Sequence, residues 1–212
     1  MDPFAGLAEA YEDWYRTPLG AFVISEEERA LRGLLPEGQR LLEVGAGTGY
    51  WLRRLPYRER VGVEPSAAMR RVGEARTPEA RWVAGKGEAL PFGDGAFDAV
   101  LLFTTLEFVE DVERVLQEAR RVLRPGGALL VGILDALSPW AALYRRLGEK
   151  GVRPWTHARF LAREDLAALL GPPEAEGGAV YLAPEASLPF PEADLAGRRA
   201  GNRPALYLGR WR

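Results

Sequence analysis

The chain has 212 residues, no cysteine, one histidine and a formal net charge of −2. That length holds one ordinary domain with a real core, and the missing cysteines exclude disulfides, thiol nucleophiles and thiolate metal sites. A lone histidine gives no basis for a metal site, and the slightly acidic balance supplies no basic field, so neither a metal nor nucleic acid is expected.

The opening Met1-Asp2-Pro3-Phe4 lacks the basic start and apolar run of a secretory signal, and no stretch approaches the ~18 apolar residues of a membrane span. A cytoplasmic location without a membrane partner is expected. Lys86 and Lys150 are the only lysines and asparagine is nearly absent, which fits a thermophilic source or a GC-rich genome. Residues 1–25 are aromatic-rich (Phe4, Tyr11, Trp14, Tyr15, Phe22) and read as irregular. Ser25-Glu26-Glu27-Glu28 reads as a helix start, with Ser25 as cap and Glu28 three positions on, as in a capping box. Pro36 and Gly38 end that helix.

An α/β alternation follows. Strands are predicted at Arg40–Val44, Arg60–Glu64, Arg81–Ala84, Phe97–Phe103 and Ala128–Leu134. Helices are predicted at Thr48–Leu55, Ser66–Ala75 and Asp111–Leu123, the last from its apolar period and Asp111 cap. Further on, helices are expected near Pro139–Leu147 and Arg163–Leu170, and strands at Gly177–Ala183 and Ala205–Trp211, the latter closing the sheet. Residues 184–204 read as a loop punctuated by proline and glycine. The whole reads as a single domain over 1–212, with 1–25 as an N-terminal lid and 134–204 as a substrate-side segment.

Leu41-Leu42-Glu43-Val44-Gly45-Ala46-Gly47-Thr48-Gly49 runs a buried strand into a glycine-rich turn that opens a predicted helix. Glycines let backbone amides approach a ligand, and a helix N-terminus favours an anionic group. The bland alternative is a tight turn without a ligand. Dinucleotide binders would need glycine at position 50, where this chain has Tyr50. Glu64 stands 64 − 45 = 19 positions after the first glycine, where an acid can accept from both ribose hydroxyls. Its alternative is a surface residue capping the next helix. Together the two features indicate a nucleoside-bearing cofactor with an anionic group.

Four motifs in order, Glu43-Val44-Gly45-Ala46-Gly47-Thr48-Gly49, Gly62-Val63-Glu64-Pro65-Ser66, Leu90-Pro91-Phe92-Gly93-Asp94-Gly95-Ala96-Phe97-Asp98 and Arg121-Val122-Leu123-Arg124-Pro125-Gly126-Gly127, resemble the class I methyltransferases that include the ubiquinone and menaquinone biosynthesis C-methyltransferases. The match covers about 38–133. The resemblance implies S-adenosylmethionine as cofactor, S-adenosylhomocysteine as product, and a Rossmann-like, doubly wound α/β sheet of seven strands, the last antiparallel, with helices on both faces. It implies that Gly45, Ala46 and Gly47 line the methionine portion and that Glu64 holds the ribose. Pro65 and Met69 would pack near the adenine, with Ser66 in the same motif. Lys86, Gly87, Glu88 and Ala89 would border its far edge. Phe103 and Thr104 would face the methyl donor, and Tyr11 and Trp14 would fold over as part of the lid. Lys86 departs from the family, which often has an acid there. A lysine cannot accept from the adenine amino group, so Glu88, a backbone carbonyl or looser binding takes that role, unless Lys86 simply points to solvent.

The cofactor already carries the activated methyl, so no catalytic side chain is assigned, and a base is needed only if the acceptor loses a proton. Glu107, just after the fourth strand, and His157 are the candidates; a helix-initiating glutamate and a structural histidine are their alternatives. Tyr15 and Tyr144 are weaker ones. No Asn/Asp-Pro-Pro-Tyr/Phe sequence follows the fourth strand. The expected acceptor is a small molecule in a mostly apolar pocket, its reacting atom open. The rivals are a cofactor-binding protein without catalysis and an NAD(P)-dependent oxidoreductase, which the Gly49 spacing opposes.

Overall fold

The computed structural model describes residues 2–212; Met1, the first residue of the expected lid, lies outside them. Seven strands form one sheet: β1 (Arg40–Val44), β2 (Glu59–Val63), β3 (Arg81–Val83), β4 (Phe97–Phe103), β5 (Leu123–Leu134), β6 (Ala175–Ala179) and β7 (Leu206–Trp211). Their order is β3-β2-β1-β4-β5-β7-β6. The first five pair in parallel, and β7 runs antiparallel to β5 and β6. The last strand is therefore the antiparallel one, as expected, but it slots between β5 and β6 instead of closing an edge.

The helices are α1 (Ala8–Trp14), α2 (Pro18–Arg32), α3 (Ala67–Arg76), α4 (Val112–Val122), α5 (Pro139–Glu149), α6 (Arg163–Leu170) and α7 (Phe190–Arg199). The period of two in a strand sends alternate side chains to opposite faces. Leu41, Ala99, Leu101 and Leu130 pack on one face with Val23 and Leu31 of α2, Trp140 of α5 and Phe190 of α7. Leu42, Val44, Val100, Leu102 and Val131 pack on the other with Val115 and Ala119 of α4 and Leu166 of α6. Strand β4 is buried on both faces, which is why it reads as an almost unbroken apolar run.

Three sequence expectations fail locally. Residues 1–25 are not irregular. Thr17, not Ser25, caps α2, accepting from the Gly20 amide at 3.0 Å with Pro18 at the first helical position. Ser25 lies mid-helix, its hydroxyl donating back to the Phe22 carbonyl at 2.8 Å. Thr48–Leu55 forms consecutive turns instead of a helix. Gly49 sits in the left-handed region at φ 75°, and the turn bonds are irregular, Gly49 N–H to Ala46 O at 2.8 Å and Arg54 N–H to Trp51 O at 2.9 Å. Within 184–204, Phe190–Arg199 is the helix α7, which buries Phe190 and Asp194; the Asp194 carboxylate accepts from the Tyr181 and Leu182 amides. Among the described residues no helix is long and apolar enough to cross a membrane.

Candidate active site

Strand order reverses between β1 and β4, and the carboxyl ends of these strands open into a cavity of about 420 Å³. In open α/β sheets this is where ligands bind, and the volume suits a small molecule.

The glycine-rich turn forms its floor. Gly45 and Gly47 take φ of 71° and 55°. A Cβ on Gly45 would lie 2.6 Å from Cγ2 of Thr105, whose hydroxyl donates to the Val44 carbonyl at 2.9 Å. The turn's amides are largely engaged. Gly45 and Ala46 donate to the Val63 carbonyl at 2.8 and 3.1 Å, and Gly47 donates to Oε2 of Glu64 at 2.8 Å. The expected helix N-terminus with open amides is thus replaced by a turn whose amides are taken up by the end of β2 and by Glu64.

Glu64, just past β2, is buried and spans two elements, Oε2 on Gly47 N–H and Oε1 on the Ser66 amide at 2.8 Å. Burial raises its carboxyl above the usual range, and the two amides hold the rise down. Ser66 caps α3. Glu43 is the site residue that sequence reasoning gave no role. It sits inside β1, lines the cavity and leaves Oε2 without a partner among the described residues. Burial pushes it well above the carboxylate range, and the Glu64 charge adds to the rise. Its signal was present: an acid within the apolar run Leu41-Leu42-Glu43-Val44.

Of the other expected residues, Tyr11, Ala46, Pro65, Met69, Gly87, Glu88, Phe103 and Thr104 all line the cavity. Thr104 holds a left-handed backbone at φ 48°, uncommon for a β-branched residue. Two expected residues lie elsewhere. Trp14 is 37% exposed and packs edge-on against Tyr15. Ala89 is exposed, because the turn in which its amide donates to the Lys86 carbonyl faces it outward. Lys86 does line the rim, paired with Glu110 at 2.7 Å. Oε1 of Glu88 accepts from the Glu110 and Asp111 amides at 2.9 and 3.4 Å, so half of the residue that might have replaced an acid at 86 serves the backbone.

Asp2, Pro3, Phe4, Tyr11 and Tyr15 bring the N-terminal segment to the cavity wall. The Ser66 hydroxyl donates to Asp2 at 2.7 Å, and Phe4 meets Phe108 edge-on at 4.9 Å between centroids. Helix α1 is tied down by Glu12, which is buried and accepts from the Thr48 hydroxyl while pairing with Arg53 at 3.3 Å and with Arg76. Asp2, Phe4 and Glu12 carry no motif. Their roles come from distant partners, so local sequence holds no trace of them.

The catalytic candidates separate in space. Glu107 is buried away from the cavity. Its Oε1 accepts from the Leu134 amide at 2.7 Å, Oε2 has no partner among the described residues, and burial lifts the carboxyl to about 7. His157 is exposed on the short turn Trp155–His157. Tyr15 lines the cavity, and Tyr144 stacks on Trp155 at 3.9 Å. Neither Glu107 nor His157 is placed to act on a bound molecule. Glu107 instead joins the turn after β4 to the end of β5.

Comparison with known proteins agrees with this geometry. A family model described as a methyltransferase domain matches residues 42–131. An uncharacterized protein of Methanocaldococcus jannaschii is 34% identical over 170 residues, 80% of this chain and 79% of that protein. A demethylmenaquinone methyltransferase of Renibacterium salmoninarum is 41% identical over 103 residues, 47% of this chain and 42% of its own length. The curated relatives that the chain matches are thus spanned to between 42% and 79% of their length. Among solved structures, a Thermotoga maritima S-adenosylmethionine-dependent methyltransferase, described as a possible histamine N-methyltransferase, superposes with a TM-score of 0.80 at 30% identity, covering 98% of this chain and 96% of that one. With the seven-stranded sheet, the glycine turn and the acid after β2 all in place, the chain belongs to the class I S-adenosylmethionine-dependent methyltransferases.

Proposed function

We propose that this methyltransferase transfers the methyl group to a small organic acceptor, with cofactor and acceptor sharing the cavity above β1 and β4. The chain works as one domain, residues 2–15 forming the inner part of a lid over 1–25, whereas the segment 134–204, expected on the acceptor side, supplies none of the residues that line the cavity. When bound, S-adenosylmethionine supplies an activated methyl on a sulfonium, so the protein needs no nucleophile or metal of its own.

The chain's residues fit that cofactor. The observation that carries the reading is the orphaned Oε2 of Glu43 in the cavity wall, an acceptor that a cationic amino group would satisfy. Glu64 keeps one free lone pair on each oxygen beyond its two amide bonds and would hold the ribose hydroxyls. Pro65 and Met69 offer apolar surface to the base. At Gly45 and Gly87 a Cβ would press on Thr105 at 2.6 Å and on Val115 and Val44 at 3.1 Å, so glycine there lets the cavity wall pack closely against its neighbours. The engaged turn amides and the acidic wall oppose a pyrophosphate, which weakens the dinucleotide alternative. A small acceptor is supported by the closed aromatic cover. It is also supported by the two named relatives, described as acting on a menaquinone precursor and possibly on histamine.

Calorimetric titration with S-adenosylmethionine, S-adenosylhomocysteine and NADH tests the site. Binding of the first two at roughly micromolar affinity and none of NADH is expected. Glu43→Gln should weaken both sulfur compounds; unchanged affinity removes Glu43 from the site. Turnover with an acceptor panel separates an enzyme from a binding protein.

A further inference from the structure

The hydrogen-bond ladder between β4 and β5 breaks off beside the cavity. The Thr104 amide, one residue past β4, donates to the Gly132 carbonyl of β5 at 2.8 Å. In a parallel ladder a residue bonded in this way offers its own carbonyl to the amide two positions further along the partner strand, here Leu134. Thr104 does not. Its backbone turns left-handed at φ 48°, and the buried Leu134 amide donates instead to Oε1 of Glu107 at 2.7 Å. A side chain three residues further on thus stands in for the missing carbonyl, and Thr104 leaves the sheet for the cavity wall. Without Glu107 the Leu134 amide has no acceptor unless Thr104 gives up its left-handed turn and returns to the ladder.

Glu107 lies on the short turn Leu106–Phe108, flanked by Thr104, Thr105, Phe108, Val109 and Glu110, all of which line the cavity. No counter-charge reaches its carboxyl. The residue is 1% exposed, and Oε2 has no partner among the described residues. The charged groups of the elements packed around the turn are engaged elsewhere. Arg159 donates to the Val109 and Glu110 carbonyls, and Glu110 pairs with Lys86. Past β5, Asp135 pairs with Arg203, and on α6 Glu164 pairs with Arg163 and Arg203. Asp165 accepts from the Ala162 amide, and His157 is exposed. Burial therefore raises the Glu107 carboxyl, while the Leu134 amide and its own amide hold the rise down.

We propose that Glu107 is a positioning residue for methyl transfer: its carboxyl replaces the Thr104 carbonyl in the ladder and so holds Thr104 and Phe108 in the cavity wall. This role depends on cofactor and acceptor sharing that cavity, as proposed above. Glu107 touches neither molecule and acts through the wall. Ionisation undoes the arrangement, because a charge with one oxygen unmet in an apolar core is driven towards water. The carboxyl is raised only while it is seated. The seated wall therefore loses stability as pH rises from the ordinary value of 4.5 to about 7.

Amide hydrogen exchange across residues 103–110 of the full chain tests this, with rates corrected for their intrinsic pH dependence. Between about pH 5 and about pH 8, protection in the parent should fall at least about tenfold. Glu107→Gln keeps the acceptor oxygen without the charge, and its protection should stay within about twofold across the window. At about pH 5, Glu107→Gln should bind S-adenosylhomocysteine within about twofold of the parent, and Glu107→Leu at least about fivefold more weakly. Level protection in the parent, a decline in Glu107→Gln as steep as the parent's, or Glu107→Leu binding as tightly as the parent each overturns the proposal. If circular dichroism shows Glu107→Leu unfolded, the parent and Glu107→Gln decide alone. Absence of S-adenosylhomocysteine binding by the parent would instead sink the cofactor site, and the exchange measurement, which needs no cofactor, would still decide the role of Glu107.

Discussion

The buried carboxylates around the cavity are held in opposite ways. Glu64 meets two amides and Glu12 meets a hydroxyl and two arginines. Glu43, in the wall of the same cavity, leaves Oε2 without a partner among the described residues. The first arrangement is complete within the protein and makes a rigid frame. The second leaves an acceptor for a ligand to satisfy.

Three experiments press on that comparison. The largest effect is expected at Glu12. Glu12→Gln leaves Arg53 and Arg76 short of their partner and should destabilise by about 2–3 kcal/mol, less than a fully buried pair because Arg76 is partly exposed. Limited proteolysis should then cut first within residues 2–15. A variant as resistant as the parent would show that the cover is held by its aromatic contacts alone. Next is Glu64→Ala, which strands the Gly47 and Ser66 amides and should weaken S-adenosylhomocysteine by about 1–3 kcal/mol. Unchanged affinity would remove Glu64 from the frame.

The smallest effect is a pH slope. Glu27 and Glu107 carry carboxyls raised from 4.5 to about 8 and about 7. Above pH 4.5 the folded chain therefore holds protons that the unfolded chain has released, so stability falls with rising pH up to about 8. Denaturant midpoints across that window should decline, and Glu27→Gln should flatten the upper part of the decline. The same slope in parent and variant would mean that Glu27 does not set it.

The glycine turn and Glu64 were legible because their constraints are local, unlike those of Glu12. A left-handed glycine, an acid at the end of a parallel strand and an aspartate capping α4, accepting from the Arg114 amide at 2.9 Å, each leave a mark within a few residues. Strand β4, apolar but for Asp98, was readable in its entire span. Glu43 was half legible: its oddity among leucines was visible, its role was not. The N-terminal helices were obscured because aromatic residues serve a helix face and a pocket wall equally well, and Ser25 and Glu28 imitate a cap where the backbone needs none. Helix α7 was hidden by the prolines before and within its first turn, which are compatible with a helix start as well as with a loop.

By itself the sequence determined an α/β sheet, a nucleoside-bearing cofactor and the residues of the glycine turn, because hydrophobic period, turn chemistry and motif spacing act over short stretches of chain, while the resemblance of its motifs implied S-adenosylmethionine. Tertiary structure alone decided that β7 enters between β5 and β6 and that Glu107 and His157 stand apart from the cavity. Such placements depend on which distant elements pack together, and neither the identity of a charged residue nor its neighbours in sequence records what lies across the core from it.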